Sequence, residues 1–261
     1  WKVLQSDKEL LVFPIVSALG VVLVTIAFAF PAFFVVAGGG EVAQIAGYGL
    51  LFLFYLVTYF VIIFANSALV GAALIRLRGG DPTLGDGFGI AFSRVGAIFA
   101  YALVSATIGL ILRWLSEKNQ LGRIAANILG AGWNIATYLA VPILVVENVN
   151  PIDAIKRSVM LLKKTWGEQI AGAVGMGWVF GLLFLAVILI GGAGIYVALM
   201  LGAQVLVIAL IGVIVIMLLA LALLNATLIG IYTAAVYRYA AEGALDSQFP
   251  AGLVQNAFRA K

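Results

Sequence analysis

The amino-acid sequence predicts an all-α protein, a polytopic membrane helix bundle with six transmembrane helices and amphipathic interfacial helices on its cytoplasmic side. Of its 261 residues, 64% are hydrophobic and 10% are charged, a composition typical of membrane-embedded chains. Residues 169–237 carry no charge, whereas about 20 apolar residues already cross a hydrocarbon core of roughly 30 Å. Stretches such as VVLVTIAFAF are apolar on every side, which excludes the alternating pattern of a membrane β-barrel.

Long apolar segments place the six spans along the chain. The predicted spans are residues 10–37, 46–75, 95–115, 124–146, 169–190 and 204–237. Interfacial helices are predicted at residues 82–93 and 151–166. All of these elements belong to one predicted integral membrane domain that covers residues 1–261.

The start and the two faces of the segment at 151–166 predict an interfacial helix. Asn150 is a good N-cap, Pro151 suits the first turn, and Asp153 places a carboxylate at the positive end of the helix dipole. One face is apolar and the other is polar, which is typical of a helix lying in the membrane plane. The basic residues predicted to contact anionic lipid headgroups are Lys156, Arg157, Lys163 and Lys164. The alternative is a loop that only fixes topology.

The segment at 82–93 looks like a degenerate copy of this helix. Asp81 and Pro82 begin it as Asn150 and Pro151 begin the later one, so Asp81 is predicted to be its cap. Near the beginning of the chain, Ser6 and Glu9 have the spacing of a capping box for the first span.

The distribution of Lys and Arg predicts the orientation. With six spans, only Arg113, Lys118 and Arg123 fall on one side, and the other twelve of the 15 basic residues (15 minus 3) fall on the opposite side. The positive-inside rule then places both termini in the cytoplasm. Nucleic acid is an unsuitable partner, because no basic stripe alternates with stacking aromatic residues. The expected partners are membrane lipids, including anionic ones, and protein subunits or further copies of the chain.

The last apolar run is too long for one simple span. We predict a short connector or shallow re-entrant segment at 191–203, begun by GGAG, followed by one long helix that ends near Gly243. Tyr232, Tyr237 and Tyr239 are predicted to form its aromatic belt. The rival arrangement is a seventh span, which would move the C-terminus to the other side.

Three stretches resemble a known family. FANSALVGAALIRLRGGDPTLGDGFGIAFSRVGAI, GAGWNIATYLAVPILVVENVNPIDAIKRSVMLLKKTWGEQIAG and AFRAK are similar to an uncharacterised prokaryotic membrane family, domain of unknown function 6159. Its plan resembles that of the membrane domain of glycerophosphodiesterases. The resemblance implies a six-span bundle in a prokaryotic plasma membrane, and it brings no activity, cofactor or catalytic residue.

Residues with a candidate function lie mainly inside the spans. Asn66, Asn134 and Asn225 need polar partners there, so they either bridge helices or line a cavity for a substrate. Ala173, Gly177 and Gly181 recur every four residues and predict close helix packing, within the bundle or against a partner subunit. No catalytic, cofactor or metal site is predicted. The chain contains neither Cys nor His, which excludes thiolate, imidazole and disulfide chemistry.

Three function classes follow from these observations. The first is a non-enzymatic integral membrane protein that interacts with lipid or serves as an accessory or scaffold subunit. The second is a channel or permease for a neutral or lipid-like solute. The third is a membrane enzyme that uses carboxylates, for which the clustered candidates are Asp81, Asp86, Glu147 and Asp153. Glu147 is also interpreted as an interfacial anchor or cap, or as a proton or cation site.

The predicted topology can be tested with reporters fused after Lys261. A reporter that is active only in the cytoplasm should be active, because the basic residues favour a cytoplasmic C-terminus. A silent cytoplasmic reporter together with an active external one would contradict the six-span topology and support the seventh span.

Overall fold

A computed structural model describes residues 2–243 and the side chains of residues 3–163 and 176–243. The chain begins with α1 (Lys2–Ser6) and a 3-10 turn (Lys8–Leu11). The remaining helices are α2 (Val12–Gly38), α3 (Gly40–Leu77), α4 (Leu84–Ser93), α5 (Val95–Lys118), α6 (Gln120–Ala136), α7 (Ala140–Glu147), α8 (Pro151–Met200) and α9 (Gln204–Glu242). No strand occurs among the described residues.

Six helical segments are long and apolar enough to cross a membrane, as predicted. They are Lys8–Gly38, Gly40–Leu77, Val95–Lys118, Gln120–Glu147, Met176–Met200 and Gln204–Glu242. The prediction of an all-α, six-span membrane protein is therefore confirmed. The fourth of these segments consists of α6 and α7, and the fifth is the second half of α8.

The predicted boundary between an interfacial helix at 151–166 and a span at 169–190 is wrong. Asn150 caps the helix as predicted, with its Oδ1 accepting a hydrogen bond from the Asp153 N–H at 2.9 Å. The helix that starts there is α8, which continues for 50 residues to Met200. The physical reason is that the sequence between the two predicted elements holds no proline, and one glycine costs a helix only about 1 kcal/mol.

The predicted connector at 191–203 is also wrong. GGAG lies inside α8, and the turn between α8 and α9 is at residues 201–203, where Gly202 has a φ of 68°. Gly191 serves close packing instead, since a Cβ there would lie 2.4 Å from Ile214 Cδ1 of α9. The long helix after it, α9, ends as predicted at Gly243, which has the left-handed conformation of a helix C-terminus.

Local capping differs from the sequence interpretation at two places. The N-cap of α4 is Thr83 rather than Asp81, and Thr83 and Asp86 form a capping box. The Thr83 N–H and hydroxyl both donate to the Asp86 carboxylate and hold the pKa of that carboxyl below its usual range. At the beginning of the chain the Ser6 and Glu9 box does not form, because the 3-10 turn begins after Asp7, whose side chain makes no cap.

The fourth span is broken between α6 and α7, at residues 137–139. Pro142 has no N–H, so it cannot bond the carbonyl four residues earlier, and its ring crowds that carbonyl. The freed backbone is satisfied by a neighbouring helix, since the Leu139 N–H donates to Ser158 Oγ of α8 at 3.1 Å. Hydroxyl groups surround the break, because Tyr138 lies beside Thr233 of α9 and Tyr101 of α5 lies beside Thr137. The fourth span is thus completely interrupted before Pro142, and the Leu139 N–H at the break is paired.

Burial divides the molecule into two layers. One layer, which we call the head, consists of residues 3–13, 63–77, 139–162 and 227–237, where most of the buried side chains lie. The other layer, the belt, consists of the rest of the long helices, which expose large apolar side chains such as Leu23, Ile208 and Ile216. In α9 the belt covers about 23 residues, or ~34 Å, close to the thickness of a hydrocarbon core.

Helix α3 connects the two layers and contacts α2, α4, α5, α7 and α9. Small residues let α4 and α9 approach the part of α3 that lies in the head. A Cβ on Gly87 of α4 would lie 2.8 Å from the Ala68 carbonyl oxygen, and a Cβ on Gly230 of α9 would lie 2.4 Å from Leu69 Cδ2. The head is therefore held together around one end of α3.

Replacing Ser158 with Ala tests the pairing at the break. Ser158 and Leu139 are both completely buried, so S158A leaves a backbone N–H without a partner, and we expect a loss of about 1 to 3 kcal/mol in the free energy of unfolding. The control is S93A, which removes an exposed hydroxyl that bonds the Ile90 carbonyl and should cost less than about 0.5 kcal/mol. Thermal unfolding in a fixed lipid or detergent measures both. Equal losses for the two variants would contradict the assigned role.

Candidate functional site

A cleft of about 490 Å³ lies between α2, α3 and α9, where the belt meets the head. Its floor includes Phe13, Ala65 and Leu69, which are almost completely buried. Its rim includes exposed residues of all three helices, among them Ala18, Ile62 and Ala226. The other lining residues are Pro14, Ser17, Val21, Asn66, Ala222 and Leu223. The cleft therefore opens onto the surface of the membrane-spanning helices.

The polar groups of the cleft are few and uncharged. Only Ser17 and Asn66 among its lining residues carry polar side chains. Asn66 points toward α9, since a Cβ on Gly230 would lie 3.5 Å from Asn66 Oδ1. Such a lining can accept an apolar chain and offer one or two hydrogen bonds to a neutral polar group.

The position of the cleft along the membrane normal follows from its helix residues. Phe13 to Val21 on α2 and Ile62 to Leu69 on α3 cover about 10 to 12 Å at 1.5 Å per residue. This is roughly a third of a hydrocarbon core. Because the floor is formed by residues of the head, the cleft lies in the half of the membrane nearest the head.

The three predicted intramembrane amides do not meet in one cavity. Asn66 lines the cleft, and Asn225 lies beside the lining residue Ala226 in α9. The Asn225 Oδ1 is buried and finds no hydrogen-bond partner among the described residues. Asn134 lies on α6, is exposed, and is not among the residues that line the cleft.

A layer of ion pairs at the surface of the head was not predicted from the sequence. Arg76 of α3 pairs with Asp7 and, at 2.6 Å, with Asp81. Glu242 of α9 pairs with Arg78 at 2.5 Å and with Arg238 at 3.5 Å. These contacts join the beginning of the chain and the ends of α3 and α9. The sequence analysis interpreted the basic residues as topology signals. It could not identify their acidic partners, because the paired residues are up to 164 positions apart in the sequence.

Glu147 at the end of α7 is part of a second group of contacts. Its carboxylate lies 3.3 Å from Arg157 Nε of α8 and accepts a hydrogen bond from the Tyr237 hydroxyl of α9 at 3.2 Å. Tyr237 is only 2% exposed, so its predicted place in an aromatic belt is wrong. The reason is that the head surrounds this end of α9. Glu147 thus joins three helices, as an anchor would.

The four predicted headgroup residues differ in their surroundings. Lys156 is exposed and lies 3.7 Å from Asp153, and Lys163 is exposed. Arg157 is half-exposed and is engaged by Glu147. The side chain of Lys164 lies outside the described side chains. Two exposed lysines on α8 therefore remain available for anionic groups.

Gly177 and Gly181, on the predicted small-residue face of α8, have no close neighbour in the described part of the chain. A Cβ on Gly177 or on Gly181 would meet no atom of the described residues within 4 Å. Ala173 lies outside the described side chains. Packing of this face within the bundle is therefore not observed, and packing against a partner subunit stays a prediction.

The clustered carboxylates are separated by the fold into different contacts. Asp81 pairs with Arg76, Asp86 closes the α4 capping box, and Asp153 accepts from Asn150 at 2.6 Å. Glu147 lies in the contact with Arg157. No group of three acidic side chains placed to hold a metal ion occurs in the described part of the chain.

Comparisons with known proteins give a family and no function. A family model described as a family of unknown function (DUF6159) matches residues 45–247. No curated protein and no solved structure matches the chain. The resemblance to the membrane domain of glycerophosphodiesterases is not shown by these comparisons and stays a prediction.

Asp7 and Asp81 offer a matched test of the ion-pair layer, because both bind Arg76. The Asp7 side chain is 9% exposed and that of Asp81 is 91% exposed. We expect D7A to lower the free energy of unfolding by about 2 kcal/mol, as for hydrogen bonds between charged groups. D81A should lower it by less than about 1 kcal/mol, since exposed pairs are screened by solvent. Thermal unfolding of both variants in the same nanodisc measures the difference. A larger effect of D81A would refute the assignment.

Proposed function

Since the chain belongs to the DUF6159 family, whose function is unknown, we propose a function from its own geometry. The protein is a non-enzymatic integral membrane protein that binds a membrane lipid in the cleft between α2, α3 and α9. An acyl chain occupies the apolar part of the cleft. The lipid belongs to the leaflet nearest the head.

The observation that carries this proposal is the cleft itself. Its volume of about 490 Å³ is within the range of roughly 300 to 1,000 Å³ of small-molecule sites. Its lining consists of Ala, Val, Leu, Ile, Phe and Pro side chains apart from Ser17 and Asn66. Its rim is exposed on the belt, where lipid is the surrounding solvent. A lipid chain can therefore enter sideways without crossing water.

The polar end of the ligand is neutral in this proposal. Asn66 and Ser17 supply amide and hydroxyl groups, which hydrogen-bond ester carbonyls or hydroxyls. No charged side chain lines the cleft, so a charged headgroup would lie outside it. The exposed Lys156 and Lys163 of α8 are a separate place for anionic headgroups, which basic residues near a membrane surface attract.

The orientation of the protein in the membrane determines which leaflet supplies the lipid. Lys8, Arg76, Lys156 and Arg157 lie in the head, and Arg78 and Arg238 directly follow its segments. The positive-inside rule therefore supports a cytoplasmic head and a lipid from the cytoplasmic leaflet. The membrane is then a prokaryotic plasma membrane. The ion-pair layer and the exposed side of α4 also support an accessory role, in which a lipid-loaded head contacts other subunits.

Photoreactive lipids test whether the cleft is occupied. We expect a phosphatidylglycerol or phosphatidylethanolamine with a diazirine in one acyl chain to label residues lining the cleft more than the exposed belt. The variant A226F fills the rim of the cleft and should lower labelling of α2 and α3 several-fold. Mass spectrometry of peptides after irradiation in liposomes measures the labelled positions.

The matched control is A209F, at an exposed alanine of the same helix that does not line the cleft. It should leave labelling of the cleft unchanged. Uniform labelling of the belt, or equal effects of A226F and A209F, would refute the proposal. Uptake of a neutral solute into the same liposomes, if abolished by A226F, would support the permease alternative instead.

Replacing the cleft amide tests the polar contact separately. We expect N66L to retain labelling of the cleft by a simple fatty-acid probe, since the apolar lining remains. It should reduce labelling by a glycerolipid probe about threefold to tenfold, as a hydrogen bond worth about 1 kcal/mol is lost. Equal changes for both probes would show that Asn66 does not contact the polar part of the lipid.

A further inference from the structure

We propose that α6 is the interface of a twofold-symmetric homodimer, in which a stripe of amide side chains on one copy pairs with the same stripe on a second copy. The stripe consists of Gln120, Asn127 and Asn134. The ligand of this face is thus α6 of an identical chain, and the contact is independent of the lipid cleft.

The three amides lie on one line along the helix. They are separated by seven residues each, and a seven-residue repeat returns to nearly the same side of a helix. All three are exposed. Gly122 and Ala126, which lie on another side of α6, are buried. The amide stripe therefore faces away from the bundle.

The depth of these residues makes their exposure costly. Asn134 is 11 residues from Arg123, or about 16 Å along a helix, which is near the middle of a hydrocarbon core of roughly 30 Å. Lipid chains offer no hydrogen bonds, so an amide that faces them loses its partners. Exposed threonines in other spans avoid this cost, since Thr25 and Thr107 bond carbonyls of their own helices at 2.8 Å. The described residues provide no hydrogen bond to the side chain of Asn127 or of Asn134.

A second copy of the chain fits this face by its chemistry. An amide side chain carries both donors and an acceptor, so two identical amides complement each other. A charged partner would meet no opposite charge at Asn127 or Asn134, and an apolar partner would leave both amides unpaired. Copies inserted in the same orientation are related by a twofold axis along the membrane normal, so residues near the axis face their own counterparts.

The surroundings of the amides also suit a close contact. Ala131 lies between Asn127 and Asn134 at the centre of the exposed side and allows two helices to approach. Ile124, Ile128 and Ile135 flank the stripe and are 50 to 67% exposed. They would add apolar packing beside the hydrogen bonds. Polar contacts of this kind are a main attraction between helices in lipid.

Disulfide formation tests which face meets its counterpart, because the chain contains no cysteine. We expect A131C to form a disulfide-linked dimer on mild oxidation in native membranes. G181C tests the small-residue face of α8 as the rival interface, and I216C, at an exposed position of α9, reports random collisions. Stronger cross-linking of G181C than of A131C, or equal cross-linking of all three variants, overturns the proposal.

The amides are tested by measuring the dimer fraction in liposomes at several protein-to-lipid ratios with single-molecule photobleaching. N127L and N134L should each weaken association roughly threefold to thirtyfold, the range expected for one interhelical polar contact. N134Q, which keeps an amide, should restore part of the loss. Q44L, which removes an exposed amide of α3, should change nothing.

Thermal unfolding of the variant with both Leu substitutions separates lost association from lost folding. Both positions are exposed in the single chain, so its unfolding temperature at high dilution should equal or exceed that of the parent. An undiminished dimer fraction in this variant overturns the proposal. The proposal is also overturned if photobleaching counts more than two copies per assembly and A131C does not cross-link to its counterpart.

Discussion

The fixed thickness of the hydrocarbon core is the constraint on which the rest of this structure depends. Helices of 39 and 50 residues, α9 and α8, would reach about 58 and 75 Å, while the core measures roughly 30 Å. Only part of each helix can therefore be surrounded by lipid. The remainder must be covered by protein, and the head provides that cover. The apolar end of α9 at residues 227–237 packs against α3 and α7 in place of lipid.

The head in turn explains where the polar side chains lie. Its surface carries the ion pairs of Arg76, Arg78 and Arg238, which join helix ends far apart in sequence. Its interior carries the break in the fourth span, whose backbone is satisfied by Ser158 and surrounded by tyrosine and threonine hydroxyls. A break in a span is stable only where neighbouring groups replace the lost helical bonds. The densely packed head supplies such hydrogen-bonding groups from neighbouring helices. The belt faces lipid, which supplies none.

The belt has the opposite character. The amide stripe lies on it, and the lipid cleft opens onto it. Its helices contact one another over narrow faces and expose large apolar residues elsewhere. The lipid cleft lies between α2, α3 and α9, and the amide stripe lies on the exposed side of α6. In each case a polar side chain lies in apolar surroundings: Asn66 in the cleft, Asn127 and Asn134 on the stripe. The Asn225 Oδ1 beside the cleft is buried and has no hydrogen-bond partner among the described residues.

The sequence by itself determined the class of the protein, the number of spans and several helix ends. Uninterrupted apolar length sets the spans, and local chemistry sets the start of α8 at Asn150 and the end of α9 at Gly243. The tertiary structure decided where α8 runs on without a break, which carboxylate meets which arginine, and which asparagine lies in a cleft. The physical reason is that lipid and protein interior are equally apolar, so a span such as α9 is hydrophobic on all sides. Its sequence shows that it is removed from water, and only the packed structure shows whether lipid or protein surrounds each residue.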